Sequence, residues 1–254
     1  MKFITSSLIC LVIFSATTLV AQDKHFITSG TIEYERTMNM FALVKRKVTK
    51  NTLDSKPWYE QYLRTQPQFR VLKSTLKFSG NSTLFTPEYA DKVYYQYDTP
   101  LSNQLNTVFS DFSIQRSTIQ KDFEERTYLV TDILRKIKWK ITDDTRIIAG
   151  YNCRRANGIM MDSIYVVAFY SNEIHIPGGP ESFNGLPGMI LGVALPHENV
   201  TWFATRVLES ETSIPLSAPK KGKPVNNKQL YDELTKLLVG LGDYAIVALK
   251  GLLL

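Results

Sequence analysis

From Gly30 onward the chain keeps returning to one short pattern, with apolar or aromatic residues at alternate positions and polar or charged residues between them. Thr31-Ile32-Glu33-Tyr34-Glu35-Arg36 is the first instance. Leu72, Leu76 and Phe78 then alternate with Lys73, Thr75 and Lys77, and Ile137, Trp139 and Ile141 alternate with Lys136, Lys138 and Lys140. Successive side chains of a strand point to opposite faces, so a period of two predicts one face in a core and one in water. Strand-like segments recur every ten to fifteen residues with no regular alternation of strand and helix. That order excludes a parallel strand–helix–strand fold and predicts a mainly β (α+β) protein, a strongly curved antiparallel sheet or half-barrel with a few helices.

Local signals place the connections. Gly80-Asn81 predicts a hairpin turn into Thr83-Leu84-Phe85, and Asp143-Asp144 predicts a turn before a strand from Ile147 to Cys153. Ile164 to Tyr170 is apolar on both faces, as in a strand central to its sheet. Pro196-His197-Glu198-Asn199 joins the strand Met189 to Leu195 tightly to the strand Val200 to Leu208. Ser55-Lys56-Pro57-Trp58 reads as a helix start, ended before Pro67.

At the N-terminus, Lys2, the apolar run Leu8 to Phe14 and the small residue Ala21 read as a signal peptide over residues 1–21, implying export. The apolar run is too short for a comfortable membrane-spanning helix, so the chain is not expected to be an integral membrane protein after cleavage. The remaining divisions predicted are an antiparallel β domain over 22–210, a basic linker over 211–225 and a C-terminal helical and apolar tail over 226–254. In that tail Leu230, Leu234, Leu237, Leu238 and Leu241 mark one helical face.

Of two cysteines, Cys10 lies in the signal segment, so Cys153 is the one thiol of the mature chain and reads as a small buried side chain. The net charge of +6 is mild and export argues against nucleic acid as partner, while an anionic ligand is compatible with the basic clusters. His25, His175 and His197 lack the helical spacing of a catalytic zinc site. His175 and Cys153, with a methionine such as Met38, Met40 or Met189, are candidates for a soft-metal site. No nucleophile elbow, phosphate loop or dinucleotide fingerprint occurs, and no cofactor is predicted. Asp122, Glu124, Glu125, Asp143, Asp144 and Glu181 read as turn or surface carboxylates.

Leu186, Pro187 and Gly188 suit a type II turn: proline fixes φ near −65° and glycine takes positive φ at the next position. The glycines of 178, 179 and 185 allow the preceding loop to lie close to another backbone or a ligand. Gly179, Pro180, Phe183, Gly185, Leu186, Pro187 and Gly188 are therefore the candidate ligand- or partner-binding residues.

Gly185-Leu186-Pro187-Gly188-Met189-Ile190, following Gly179-Pro180-Glu181-Ser182-Phe183-Asn184, resembles the signature of the GLPGLI family of exported proteins of Bacteroidota-type bacteria, with Met189 in place of leucine. Tyr34, Trp139, the run Ile148 to Ala156 and Phe169-Tyr170 match in order, while His175 departs from the family's proline. The resemblance implies a periplasmic or cell-envelope location, no established reaction, and association with an outer-membrane transport component. The expectation is a non-catalytic envelope binding or assembly module for an apolar ligand or such a partner. The alternatives are a hydrolase with an acidic or Cys153-based site, or a metal handler using His175, Cys153 and methionine.

Overall fold

The computed structural model describes residues 27–48, 55–88 and 98–254; the signal segment, Cys10 and His25 lie outside them. Twelve strands form one large curved sheet that does not close. In chain order they are β1 (Ser29–Asn39), β2 (Phe69–Ser79), β3 (Ser82–Pro87), β4 (Thr107–Asp111), β5 (Arg116–Phe123), β6 (Arg126–Ile133), β7 (Lys138–Ile148), β8 (Tyr151–Met160), β9 (Ile164–Ser171), β10 (Met189–Leu195), β11 (Val200–Glu209) and β12 (Lys223–Val225). Helices α1 (Met40–Val48), α2 (Ser55–Thr65), α3 (Pro100–Asn103), α4 (Asn227–Leu237) and α5 (Tyr244–Leu253) complete the described residues.

The strand order is β12-β6-β5-β4-β3-β2-β1-β11-β10-β9-β8-β7. β1 lies in the middle, β2 to β6 meander away on one side, and β7 to β11 start at the far edge and meander back to it. All pairs are antiparallel except β12 with β6.

This order bends the sheet. β6 and β7 stand ten strand positions apart, yet only residues 134–137 connect them. In a flat sheet the gap is ~48 Å at ~4.8 Å per strand. Five virtual bonds reach at most ~19 Å. The edges must therefore curl toward each other, and the inner face becomes one shared interior.

The alternation decides what enters it. In β1, Ile32, Tyr34, Arg36 and Met38 are buried while their neighbours are only half-buried, and Trp202 lies opposite Arg36 in β11. β9, apolar on both faces, sits between β8 and β10. Tyr34 ties the middle of the sheet to β10, its hydroxyl donating to the Ile190 carbonyl at 2.6 Å.

Gly80-Asn81 turns β2 into β3 as the sequence predicts, and residues 196–199 join β10 to β11 through a short 3-10 turn closed by Asn199 at φ 56°. The turn expected at Asp143-Asp144 is absent. β7 runs through these residues with a shift of register between Ile141 and Thr145, and their carboxylates reach Arg154 and Arg155 of β8 at 3.5 and 3.2 Å. The chain reverses instead at Ala149-Gly150, where both φ values are positive (49° and 87°), the geometry of a type I′ hairpin.

The two outermost strands differ from the interior ones. β7 exposes Lys138 and Lys140 and carries the bulge, while β12 has three residues with Pro224 in the middle. β12 forms within the stretch read as a basic linker.

The C-terminal segment docks: Leu230, Leu234 and Leu238 bury one face of the α4 segment, and Ala248, Gly251 and Leu252 bury one side of α5. Leu237 and Leu241, assigned to the same face by sequence, are exposed. Among the described residues no helix is long and apolar enough to cross a membrane.

Ala149 holds a positive φ for which asparagine is better suited. Ala149→Asn is expected to stabilise the protein by about 0.5–1 kcal/mol, read as a higher urea midpoint with an unchanged slope; a lower midpoint would contradict the turn assignment.

Candidate functional site

Residues 172–188, between β9 and β10, cross the inner face and return on themselves. Backbone bonds Met189 N to Ile174 O, Ile190 N to Gly178 O and Gly185 N to Pro177 O, at 2.8–3.0 Å, fix the loop as a closed unit. Its apolar members pack: Leu186 is buried and Phe183 meets Trp202 edge-on at 5.6 Å. Gly188 does not take the positive φ that a type II turn asks of it. Its role is proximity, because a Cβ there would stand 2.1 Å from the Ser171 carbonyl oxygen. The positive φ belongs to Gly185, at 91°, and Gly185 and Pro187 lie at the surface. Five of the seven candidates, Gly179, Pro180, Phe183, Leu186 and Gly188, are thus buried packing positions.

The polar side chains between them are also buried. Pro180 O accepts from Phe183 N at 3.1 Å in a tight turn that holds Glu181 at φ 51°. Of the reading as a turn or surface carboxylate the turn holds, but Glu181 is only 7% exposed and is not at the surface. Its Oε2 accepts from Asn106 Nδ2 at 3.0 Å, and Asn106 Oδ1 accepts from Lys121 Nζ at 3.3 Å. The two charged groups are therefore joined through one amide.

Two guanidinium groups complete the cluster. Arg36 donates Nη1 to the Gln104 carbonyl at 2.8 Å and Nη2 to the Leu101 carbonyl, with its carbon 5.0 Å from the Trp202 ring centroid. Arg36 Nε and Trp202 Nε1 are buried without a hydrogen-bond partner. Arg135, in the connection between β6 and β7, donates Nε to Ser182 Oγ at 3.0 Å and Nη2 to the Leu253 carbonyl at 2.6 Å.

The end of α5 caps the cluster. The Leu252 carbonyl accepts from Gln104 Nε2 at 2.7 Å and from Lys121 Nζ at 3.1 Å. Cations at a helix C-terminus complement its partial negative charge. Gly251 lets the backbones meet, since a Cβ there would lie 3.0 Å from Leu101 N.

Burial governs the titration of the pair. It pushes the Glu181 carboxyl up, against the pull of Arg36, the Asn106 hydrogen bond, Lys121 and Arg135. It lowers the Lys121 ammonium to about 7, opposed by Glu181 and reinforced by Arg135 and Arg36. A carboxyl shifted up and an amine shifted down are thus held on one asparagine, an arrangement of the kind that perturbed titratable groups form at functional sites.

Cys153 and His175 take no part in it. Cys153 is fully buried, and burial, with the Glu173 charge, pushes its thiol up to about 12, the opposite of an activated nucleophile. His175 is exposed. Among the described residues no group of three or more His, Cys, Asp or Glu is arranged to hold a metal ion.

The sequence did hold one signal for the cluster. Extending the alternation of β1 places Arg36 inward between Tyr34 and Met38, and that of β5 places Lys121 inward beyond Ile119. Glu181 had none, because Gly-Pro-Glu-Ser has the composition of a surface turn.

Comparison with known proteins gives the chain a family. The family described as N-glycanase peptide, N-terminal domain, matches residues 96–236, more than half of the sequence. The chain belongs to that family of N-glycanase N-terminal domains. Two crystal forms of PNGF-II, in space groups P21 and C2, share its fold, each with a TM-score of 0.51 and 14% identity. They cover 81% and 80% of this chain; the chain spans only 32% of theirs. Comparison with curated proteins finds no match.

The family match corrects the GLPGLI assignment, and with it the expectation of a non-catalytic envelope module. The residues behind that resemblance serve packing, with Leu186 and Met189 in the core and Gly188 against Ser171.

Two outcomes follow from this geometry. Gly188→Ala is expected to cost about 3 kcal/mol or more, against less than about 0.5 for Gly240→Ala, whose added methyl meets nothing within 4 Å; equal melting temperatures would refute the close approach. Lys121 also gives stability a pH signature. Above pH 7 the folded chain has released a proton that the unfolded chain, with the ordinary 10.5, still holds, so stability rises with pH. Raised groups act oppositely, Glu181 from 4.5 upward and Cys153 from 9.0 upward. Urea midpoints should climb between about pH 7 and 9 in the wild type and lose that climb in Lys121→Met; superimposable profiles would show that Lys121 is not a buried cation.

Proposed function

We propose that this chain acts in the hydrolytic removal of N-linked glycans, and that Glu181 and Lys121 supply its acid–base pair. The observation that carries the reading is the family match over 96–236, which contains Asn106, Lys121, Arg135 and Glu181. This is the hydrolase alternative with an acidic site; the buried, proton-holding Cys153 gives no support to a thiol-based one.

The chemistry asked of the pair is ordinary. Hydrolysis adds water across the bond that holds the glycan: a base takes one proton from water and an acid gives one to the leaving group. Above about 7 the Lys121 amine is neutral and accepts a proton, while burial favours the protonated form of the Glu181 carboxyl, the form that donates one. Arg36 and Arg135 are fixed cations for charge that develops on oxygen. A substrate carbonyl reaches Gln104, Lys121 and Arg135 by replacing the carbonyls of Leu252 and Leu253. The sequence reading of residues 1–21 as an export signal is consistent with such activity outside the cytoplasm.

Mass spectrometry of an N-glycosylated peptide incubated with the purified full chain tests the reading. Glycan release is expected, reduced about 100-fold in Glu181→Gln and in Lys121→Met with folding retained. No release across pH 5 to 9, or release that ignores both substitutions, overturns it. The coverage of one third of PNGF-II favours a second reading, in which the chain is the N-terminal part of a larger glycan-cleaving assembly. Cleavage by an extract of the source cells would then fall on depletion of the chain and return equally with wild type or Glu181→Gln.

A further inference from the structure

Arg135 faces two ways. Inward it belongs to the Glu181 cluster; outward it lines an open pocket of about 480 Å³ between the end of β6 and the β6–β7 connection, the β8–β9 turn, the start of α4 and the end of α5. That volume lies within the range of small-molecule sites. Most of its wall is apolar, from Ile133, Leu134, Met161 and Leu253, and the polar groups stand among these. Tyr231, 48% exposed, stands on the same helical face as Asn227 and Lys228, four and three residues earlier. Lys136 and Arg135 come from the strand connection, so three cations and no carboxylate line the space.

Several features hold these groups in place. Arg135 is anchored by Ser182 and Leu253. The first turn of α4 is capped by Asn226 in a reciprocal capping box, and Asn227 N donates to Asp132 Oδ2 at 2.9 Å. Across the cavity, Met161 lies in a turn where it and Asp162 take φ values of 50° and 57°. Lys228 pairs with Asp232 at 2.8 Å, an exposed contact that leaves it available to a ligand.

We infer that this cavity binds an acidic oligosaccharide, with a sugar ring on Tyr231, hydroxyls on Asn227 and a carboxylate toward Arg135, Lys136 and Lys228. An aromatic face suits the C–H face of a sugar, and Arg135, its Nε and Nη2 held by Ser182 and Leu253, adds a fixed positive charge beside Lys136 and Lys228. The choice of a saccharide rests on the proposed role in N-glycan removal; the choice of an acidic one rests on the three cations. The shared Arg135 makes the cavity an anteroom to the Glu181 cluster.

Calorimetric titration of the full chain with a sialylated biantennary N-glycan and with its desialylated counterpart tests the inference, with phosphatidylglycerol vesicles as a separate arm. The sialylated glycan should bind at least about tenfold more tightly, and Tyr231→Ala should weaken both by about tenfold. Lys136→Glu combined with Lys228→Glu should abolish the preference without lowering the melting temperature, and the preference should shrink at high salt. Equal affinities, no binding, binding indifferent to Tyr231→Ala, or binding of vesicles in place of glycan each overturn the inference. Glycopeptide cleavage measured on the same preparations separates the two claims. Cleavage without glycan binding at Tyr231 sinks the cavity and leaves the hydrolytic reading, whereas binding without cleavage does the reverse.

Discussion

The four-residue connection between β6 and β7 is the constraint on which the rest of the molecule depends. A sheet of twelve strands whose tenth-neighbours are joined by residues 134–137 has no flat solution. It must curl, and once curled its inner face is a single interior that the alternation of each strand fills. Most of that filling is apolar, with Trp202, Tyr34, Phe78 and Ile32 among the largest wholly buried side chains. Because the curl also gathers inward positions from distant strands, Arg36 of β1 and Lys121 of β5 arrive in the same place as Arg135 of the connection itself.

Buried charges are tolerated only when compensated, and here compensation comes from outside the sheet. The loop between β9 and β10 contributes Glu181, and the end of α5 contributes two carbonyl oxygens. Three strand-borne or connection-borne cations thus specify where a loop and a helix must dock. The docking is geometric as well as electrostatic: at Gly188 a Cβ would overlap the Ser171 carbonyl, and at Gly251 it would press on the Leu101 backbone.

How much of this could be read from the sequence differs by level. The strand pattern, the curvature and the C-terminal helix follow from periodicity and length, because a half-buried strand has little freedom to look otherwise. The turn at Ala149-Gly150 was masked by Asp143-Asp144, a good turn signal that the register shift of β7 absorbs and that Arg154 and Arg155 satisfy. The helix α1, carrying the basic run Lys45 to Lys47, gives no clear local signal. At the site, the inward charges were legible in the alternation, but Glu181 was not, since what buries it is the convergence of remote elements. The loop chosen from its glycines and prolines does converge on the buried cluster: five of its seven named residues pack, and the carboxylate between them, Glu181, is the one that reaches Asn106.

A sheet that curls without closing keeps two free margins, and margins with unpaired amides and carbonyls template further strands. The bulge and lysines of β7 at one margin, and the three residues of β12 with Pro224 at the other, deny an incoming strand a long straight run of partners. The molecule can therefore leave its barrel unfinished around a filled interior and still resist adding strands from neighbouring copies.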